Sequence, residues 1–582
     1  MIGSAINKRA ARDGRHFQER LIVTHRTLGL LPLPSALLSF SLLMLGAATA
    51  EAAPARFDRF AYEGKSIEKI AVKPGEYRNP ILTGYYPDPS VMRVGDDYYL
   101  VNSSFAHYPG LPIFRSKDLV NWTQIGNAID RPEQLDFNGR RISQAVFAPA
   151  ISWHEGTFYI VNTCVECRGN FIITAKDPAG PWSNPIWLPF EGIDPSIYWE
   201  GDKAYIVNNR APNEPPRYDG HRAIWIQEYD WRAGKMVGES TQLINGGVDI
   251  SKKPVWIEGP HIFRKDGYYY LTAAEGGTSV NHSQVVFRSK DLRGPYTPYE
   301  GNPILTQRDL DPARSNFIGS AGHAQLVETQ RGDWWATFLA VRPYDGDDHY
   351  NIGRETFLLP VTWKDGWPII LPRGQAIPHA AKRPDLPPQP RPAIPTSGDF
   401  SYVEDFNGTR LPMQWIGIRT PHKPFYQIRD GALELESGAA IGDLNGVPAF
   451  IGRRQQHANA TFSTTLRYTP VKDGDRAGLA AVQSDRSNLF FGLTRIAGQP
   501  VVALYTRDAA DADTLVASAP VATNGPVTLT MRVTGGTMAF DYGAGGKTRT
   551  LKQGVDATLL STRKAGGFVG TVVGPYHYTP AP

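Results

Sequence analysis

Three acidic residues occupy one position of an internal repeat. Asp88-Pro89-Ser90-Val91, Asp194-Pro195-Ser196-Ile197 and Glu258-Gly259-Pro260-His261-Ile262 each run through a Gly/Asp turn to an aromatic residue 11 positions after the acid: Tyr99, Tyr205 and Tyr269. A further copy, Ala148-Pro149-Ala150-Ile151, reaches Tyr159 but starts with alanine, and a looser one starts at His323. Three carboxyls brought to one place cannot all ionise freely, so at least one must keep its proton at a higher pH than usual. Carboxyls with separated pKa values in one cleft are what acid/base hydrolysis requires. Asp before Pro-Ser can also simply cap a turn. That accounts for an Asp, but poorly for a Glu followed by Gly at the same place.

The repeat dictates the scaffold. Each copy reads as strand, tight turn, strand, which is a hairpin. The copies begin near 88, 148, 194, 258 and 323. Hairpins at steps of 46 to 65 residues, with no helical periodicity, indicate propeller blades, and five copies indicate five blades. Ile113-Phe114-Arg115-Ser116-Lys117-Asp118-Leu119 resembles Val286-Phe287-Arg288-Ser289-Lys290-Asp291-Leu292, so the outer blade strands repeat too. Innermost strands face the axis, which would gather Asp88, Asp194 and Glu258 in one funnel.

The predicted fold class is therefore all-β: a five-bladed propeller over 75–372, a connector over 373–398 and a β-sandwich (jelly-roll or concanavalin-like) over 399–582. Eight prolines between Pro372 and Pro395 predict a stiff extended linker, neither strand nor helix. Alternating runs such as Val527–Val533 predict the two-sheet domain. The 57 glycines and 47 prolines among 582 residues fit a turn-rich β protein. The net charge of +4 resides in the first fifty residues; beyond them 55 bases balance 55 acids. A neutral body argues against nucleic acid as a partner. In residues 1–52 a basic stretch precedes an apolar run, Leu28–Leu45, and small residues at Ala48, Ala50 and Ala52, the pattern of an export signal. A periplasmic or secreted protein is expected, with no membrane contact unless the segment stays uncleaved as an anchor. Cys164 and Cys167 lack the further ligands of a zinc site. After export they could form a small disulfide, or be a local loop feature.

The three acidic motifs, Tyr86–Ser90, Gly192–Ser196 and Trp256–His261, resemble the signature motifs of glycoside hydrolase family 43. The run Phe450-Ile451-Gly452-Arg453-Arg454-Gln455-Gln456 resembles the sandwich that accompanies the β-xylosidase branch. The resemblance implies a β-xylosidase or α-L-arabinofuranosidase that inverts at the anomeric carbon, with xylo- or arabino-oligosaccharides as substrates. It implies Asp88 as general base, Glu258 as general acid and Asp194 as the residue that holds Glu258 and raises its pKa. An inverting pair needs roughly 6.5–9.5 Å between acid and base, to admit water. Gly353-Arg354-Glu355-Thr356-Phe357 and Gly322-His323 resemble segments that make Arg354 and His323 substrate contacts. Ser103-Ser104-Phe105 and Glu275-Gly276-Gly277-Thr278 resemble pocket linings, which adds Phe105 and Thr278. Phe147-Ala148-Pro149 stands where many relatives have Trp-Ala-Pro; Phe147 keeps the apolar wall and loses the indole donor. No cofactor is required and no resident metal is expected at the carboxylates. The resemblance leaves room for a calcium ion on the axis, although no acidic calcium loop is legible.

Two other functions share the same scaffold. A non-catalytic sugar-binding propeller would repeat one aromatic site in each blade, whereas this repeat varies at its first position. An endo-acting arabinanase usually lacks the sandwich. Xylose against arabinofuranose preference and oligomeric state are not written in the sequence.

Overall fold

The computed structural model describes residues 53–346 and 348–581. The expected export segment, residues 1–52, lies outside the described residues.

Five units of four or five strands each surround one axis. Their innermost strands are Ser90–Val94, Ala150–His154, Ile193–Glu200, Glu258–Lys265 and Gly319–Glu328. Each packs beside the next, and the fifth returns to the first. The repeat's aromatic residue fills the layer between blades: Tyr99, Tyr159, Tyr205, Tyr269 and Trp334 are all buried. Tyr99 meets Phe158 of the second blade edge-on, centroids 5.0 Å apart, a favourable aromatic geometry. The ring is fastened at its ends. Leu82 bridges Thr356 in the fifth blade, and Glu76–Arg78 pairs with Ala380–Lys382. The Pro-rich connector is thus not free of strand as expected. Ala380–Lys382, lying between Pro378 and Pro384, keep their N–H groups and complete a two-stranded clasp.

The second domain is a two-sheet sandwich. One sheet runs in the order Tyr426–Arg429, Ala432–Leu435, Ala55–Lys65, Asn459–Arg467, Val527–Thr534, Thr537–Ala544, Lys547–Asp556. Its third strand comes from the N-terminal side of the propeller. Phe57, Phe60 and Tyr62 point into the sandwich core, where Phe60 meets Trp415 at 4.9 Å. The other sheet includes Arg476–Val482, Asn488–Ile496, Gln499–Arg507 and Val572–Tyr578. Its strand Arg476–Val482 is buried on both faces. Ala477, Leu479 and Ala481 point into the sandwich core, while Ala480 and Val482 pack with Tyr85, Phe105 and Ile142 of the propeller. Double burial explains why this strand reads as a continuous apolar run.

Cys164 and Cys167 are joined as a disulfide at the tip of the second blade's hairpin, between Thr157–Val165 and Gly169–Ala175.

Candidate active site

Asp88, Asp194 and Glu258 line one cavity of about 290 Å³ at the axial mouth. That is the low end of the roughly 300–1,000 Å³ of small-molecule sites, room for about one sugar ring. The same cavity takes all the other expected contacts: Phe105, Phe147, Ala148, Thr278, His323 and Arg354.

Local backbone geometry explains the motifs. Asp88 and Asp194 sit at φ +52° and +53°, a left-handed conformation that Asp tolerates better than most residues. In the third motif the left-handed position is one residue later, at Gly259 (φ +56°). A Cβ there would come within 2.9 Å of the His323 ring. Glu-Gly therefore replaces Asp-Pro because glycine alone fits beneath the imidazole.

Asp88 is held as an anion. Ser103 Oγ donates to its Oδ2 at 2.5 Å, and Arg354 Nη1 donates to Oδ1 at 3.1 Å. His323 Nδ1 lies 3.9 Å from the same oxygen. Burial alone would raise the Asp88 pKa, but Arg354, His323 and Ser103 together carry it below its ordinary value. Arg354 is itself fixed: its Nη1 also donates to Thr278 Oγ1 at 3.1 Å and its Nη2 to the Phe568 carbonyl at 3.4 Å.

Glu258 is in the opposite state. Burial and the negative charge of Asp88 push its carboxyl up to about 7. Asp194 is raised as well, by burial and by the charges of Glu258 and Asp88. Asp194 and Glu258 repel each other and Asp88 faces both, so burial and neighbouring negative charge raise the pair; Asp194 also accepts the Gly259 amide and so anchors the backbone beside Glu258. Two half-repelled carboxyls, one of them still protonated near neutrality, face an ionised third: the electrostatic pattern of an acid/base pair.

One oxygen each from Asp194 and Glu258 and one nitrogen of His323 lie within 4.8 Å of one another. Calcium takes six to eight oxygen ligands, and two carboxylates with one imidazole do not meet that demand, so no step is derived through an ion.

Sequence reasoning did not anticipate Phe568, Ile193 or Trp256 as lining residues. Phe568 belongs to the sandwich. Its ring stacks on Phe105 (5.9 Å, 19° between planes) and lies 5.4 Å from the Arg354 guanidinium. The approach of its loop depends on two glycines: a Cβ on Gly353 would meet Gly570 Cα at 2.9 Å, and one on Gly570 would meet Gly353 N at 2.8 Å. Those paired glycines lie 217 positions apart in sequence.

Comparison with known proteins gives a consistent result. Residues 77–368 match the family described as "Glycosyl hydrolases family 43", and residues 403–581 match "Beta xylosidase C-terminal Concanavalin A-like domain". A "Xylosidase/arabinosidase" of Butyrivibrio fibrisolvens is 42% identical over 71% of this chain and 78% of its own length. The "Non-reducing end alpha-L-arabinofuranosidase BoGH43B" of Bacteroides ovatus is 35% identical over 88% of this chain and 93% of its own. A solved structure of a GH43_12 protein retrieved from capybara gut metagenome superposes with a TM-score of 0.84 at 39% identity, over 91% of this chain and all of that one.

Proposed function

Since the chain belongs to glycosyl hydrolase family 43 and is a glycosidase, we propose that it removes terminal β-xylose, α-L-arabinofuranose or both from the non-reducing ends of hemicellulose oligosaccharides, with inversion. The observation that carries this reading is the pairing, in one cavity of single-sugar size, of Asp88, held by Ser103 and Arg354, with Glu258, whose carboxyl burial and the Asp88 charge push up to about 7. Two similar proteins bear names of the xylosidase/arabinosidase type.

In this mechanism a terminal pentose enters with its ring against Phe105, Phe147 and Phe568. Arg354, His323 and Thr278 donate to or accept from its hydroxyls. Asp88, fixed by Ser103 and Arg354, takes a proton from water as the oxygen attacks the anomeric carbon. Glu258 gives its proton to the departing glycosidic oxygen. Afterwards Asp88 carries the proton and Glu258 the charge; exchange with solvent resets the pair. Asp194 holds the Gly259 amide and keeps the acid aimed. Closure of the cavity by Phe568 favours an end-acting enzyme over one that binds mid-chain.

The test is NMR of the first product formed from xylobiose and from aryl β-xyloside and α-arabinofuranoside. The expected product has the opposite anomeric configuration from the substrate. Trapping of a covalent glycosyl-enzyme would overturn the inverting assignment, and sugar binding without turnover would favour a lectin.

The proposal includes export through residues 1–52, on the strength of the basic-then-apolar pattern. Among the described residues no helix is long and apolar enough to cross a membrane. The N-terminal sequence of the mature protein recovered from the periplasm or medium tests it.

A further inference from the structure

One lining residue is set apart by its exposure and its backbone. Trp256 lies two positions before Glu258 and is 38% exposed, whereas Asp88, Phe105, Ala148, Asp194, His323 and Arg354 in the same cavity are all buried. The buried residues mark the closed end, and Trp256 marks the mouth on the acid's side. Its φ is +51°. For a bulky aromatic that is a strained conformation, costly enough to persist only where surrounding structure enforces it.

The enforcement is visible. Trp256 N donates to Gly220 O at 2.9 Å, and Val255 O accepts from Gly276 N at 2.9 Å. Behind the indole, the Arg222 guanidinium lies 5.0 Å from the ring centroid. Arg222 is tied by its Nε to Asn209 Oδ1 at 2.9 Å, and Asn209 Nδ2 donates to Ile257 O at 2.5 Å. The chain Arg222–Asn209–Ile257 therefore braces both the ring and the backbone that carries it. Nothing in the core needs this ring: it is absent from the packed clusters of the fourth blade, while its neighbour Ile257 is fully buried there.

We propose that Trp256 is the platform for the leaving sugar, with Arg222 as its positioning residue. The inference rests on Glu258 acting as the acid. The bridging oxygen must then lie at Glu258, so the ring beyond it extends toward the mouth. An exposed indole, backed on one side by a cation, presents its free surface to the apolar face of that ring. The preference would be for a pyranose-type sugar as leaving group over a small alcohol.

The experiment compares xylobiose with methyl β-xyloside, or the corresponding arabinofuranosyl pair if that is the sugar released. Both leaving groups are poor and need protonation, but only the disaccharide covers Trp256. Trp256→Gly is the main variant, because glycine adopts φ +51° without strain and removes the ring alone. It is expected to lower kcat/KM for the disaccharide about tenfold or more while leaving the methyl glycoside within about twofold. Trp256→Phe should restore most of the disaccharide rate. Arg222→Met should reduce the same preference less than loss of the ring does. Equal losses on both substrates, or no loss on the disaccharide, would overturn the inference. Failure of wild-type enzyme to turn over either substrate would instead overturn the functional reading on which it stands.

Discussion

Asp88 and Glu258 divide the work by environment, and that division has a sign. In the proposed mechanism activity requires Asp88 ionised and Glu258 protonated. Asp88 lies below its usual range and Glu258 near 7, so kcat/KM should form a bell. It rises at a pH below that of an ordinary carboxylate and falls as Glu258 loses its proton near 7. Asp88→Asn removes the anion that raises Glu258. The Glu258 pKa should therefore drop in that variant, read by NMR titration of the labelled carboxyl, while hydrolysis is abolished. Glu258→Gln should cost roughly 10²–10⁴-fold on alkyl glycosides, and far less on aryl glycosides whose leaving group departs unaided. The three acids were legible because the repeat exposes them at one register position. That their states differ was expected from the crowding and from the resemblance; the contacts that hold Asp88 as the anion, Ser103 and Arg354, are placed beside it only by folding.

At the scale of elements, hairpins and blades follow from local pattern, and the contacts that cross between distant segments do not. The strand Ala55–Lys65 precedes the propeller but pairs with Asn459–Arg467. Phe57, Phe60 and Tyr62 share one face of a strand whose period a bulge after Phe57 interrupts, and they do not name its sheet. Phe60→Ala should cost about 3–5 kcal/mol of stability, measured by denaturant unfolding, because this fully buried ring packs between Trp415 and Phe462. The loop bearing Phe568 lies 214 positions from Arg354, whose guanidinium it meets. Gly570→Ala puts a methyl within 2.7 Å of the Ile352 backbone. The loop must move outward, and a displacement of about 1 Å near reacting groups can lower kcat/KM by up to about 10²-fold. Circular dichroism should show the sheets unchanged.

The molecule as a whole is more interdependent than its sequence suggests. Composition divides it into propeller, connector and sandwich, yet the sandwich takes a strand from before the propeller and lends a phenylalanine to the cavity. Residues 75–372 produced alone should therefore expose Tyr85, Phe105 and Ile142 and lose nearly all glycosidase activity. Activity at the level of the full chain would show that Phe568 is dispensable.

Thr464 Oγ1 reaches the Arg59 carbonyl across 405 positions of the chain. During synthesis the segment 55–65 leaves the ribosome long before its partner exists. It must wait unpaired, its Phe57, Phe60 and Tyr62 uncovered, through the making of every blade. Maturation is consequently not strictly vectorial: this strand is locked into its sheet only once the segment 459–467 has been made.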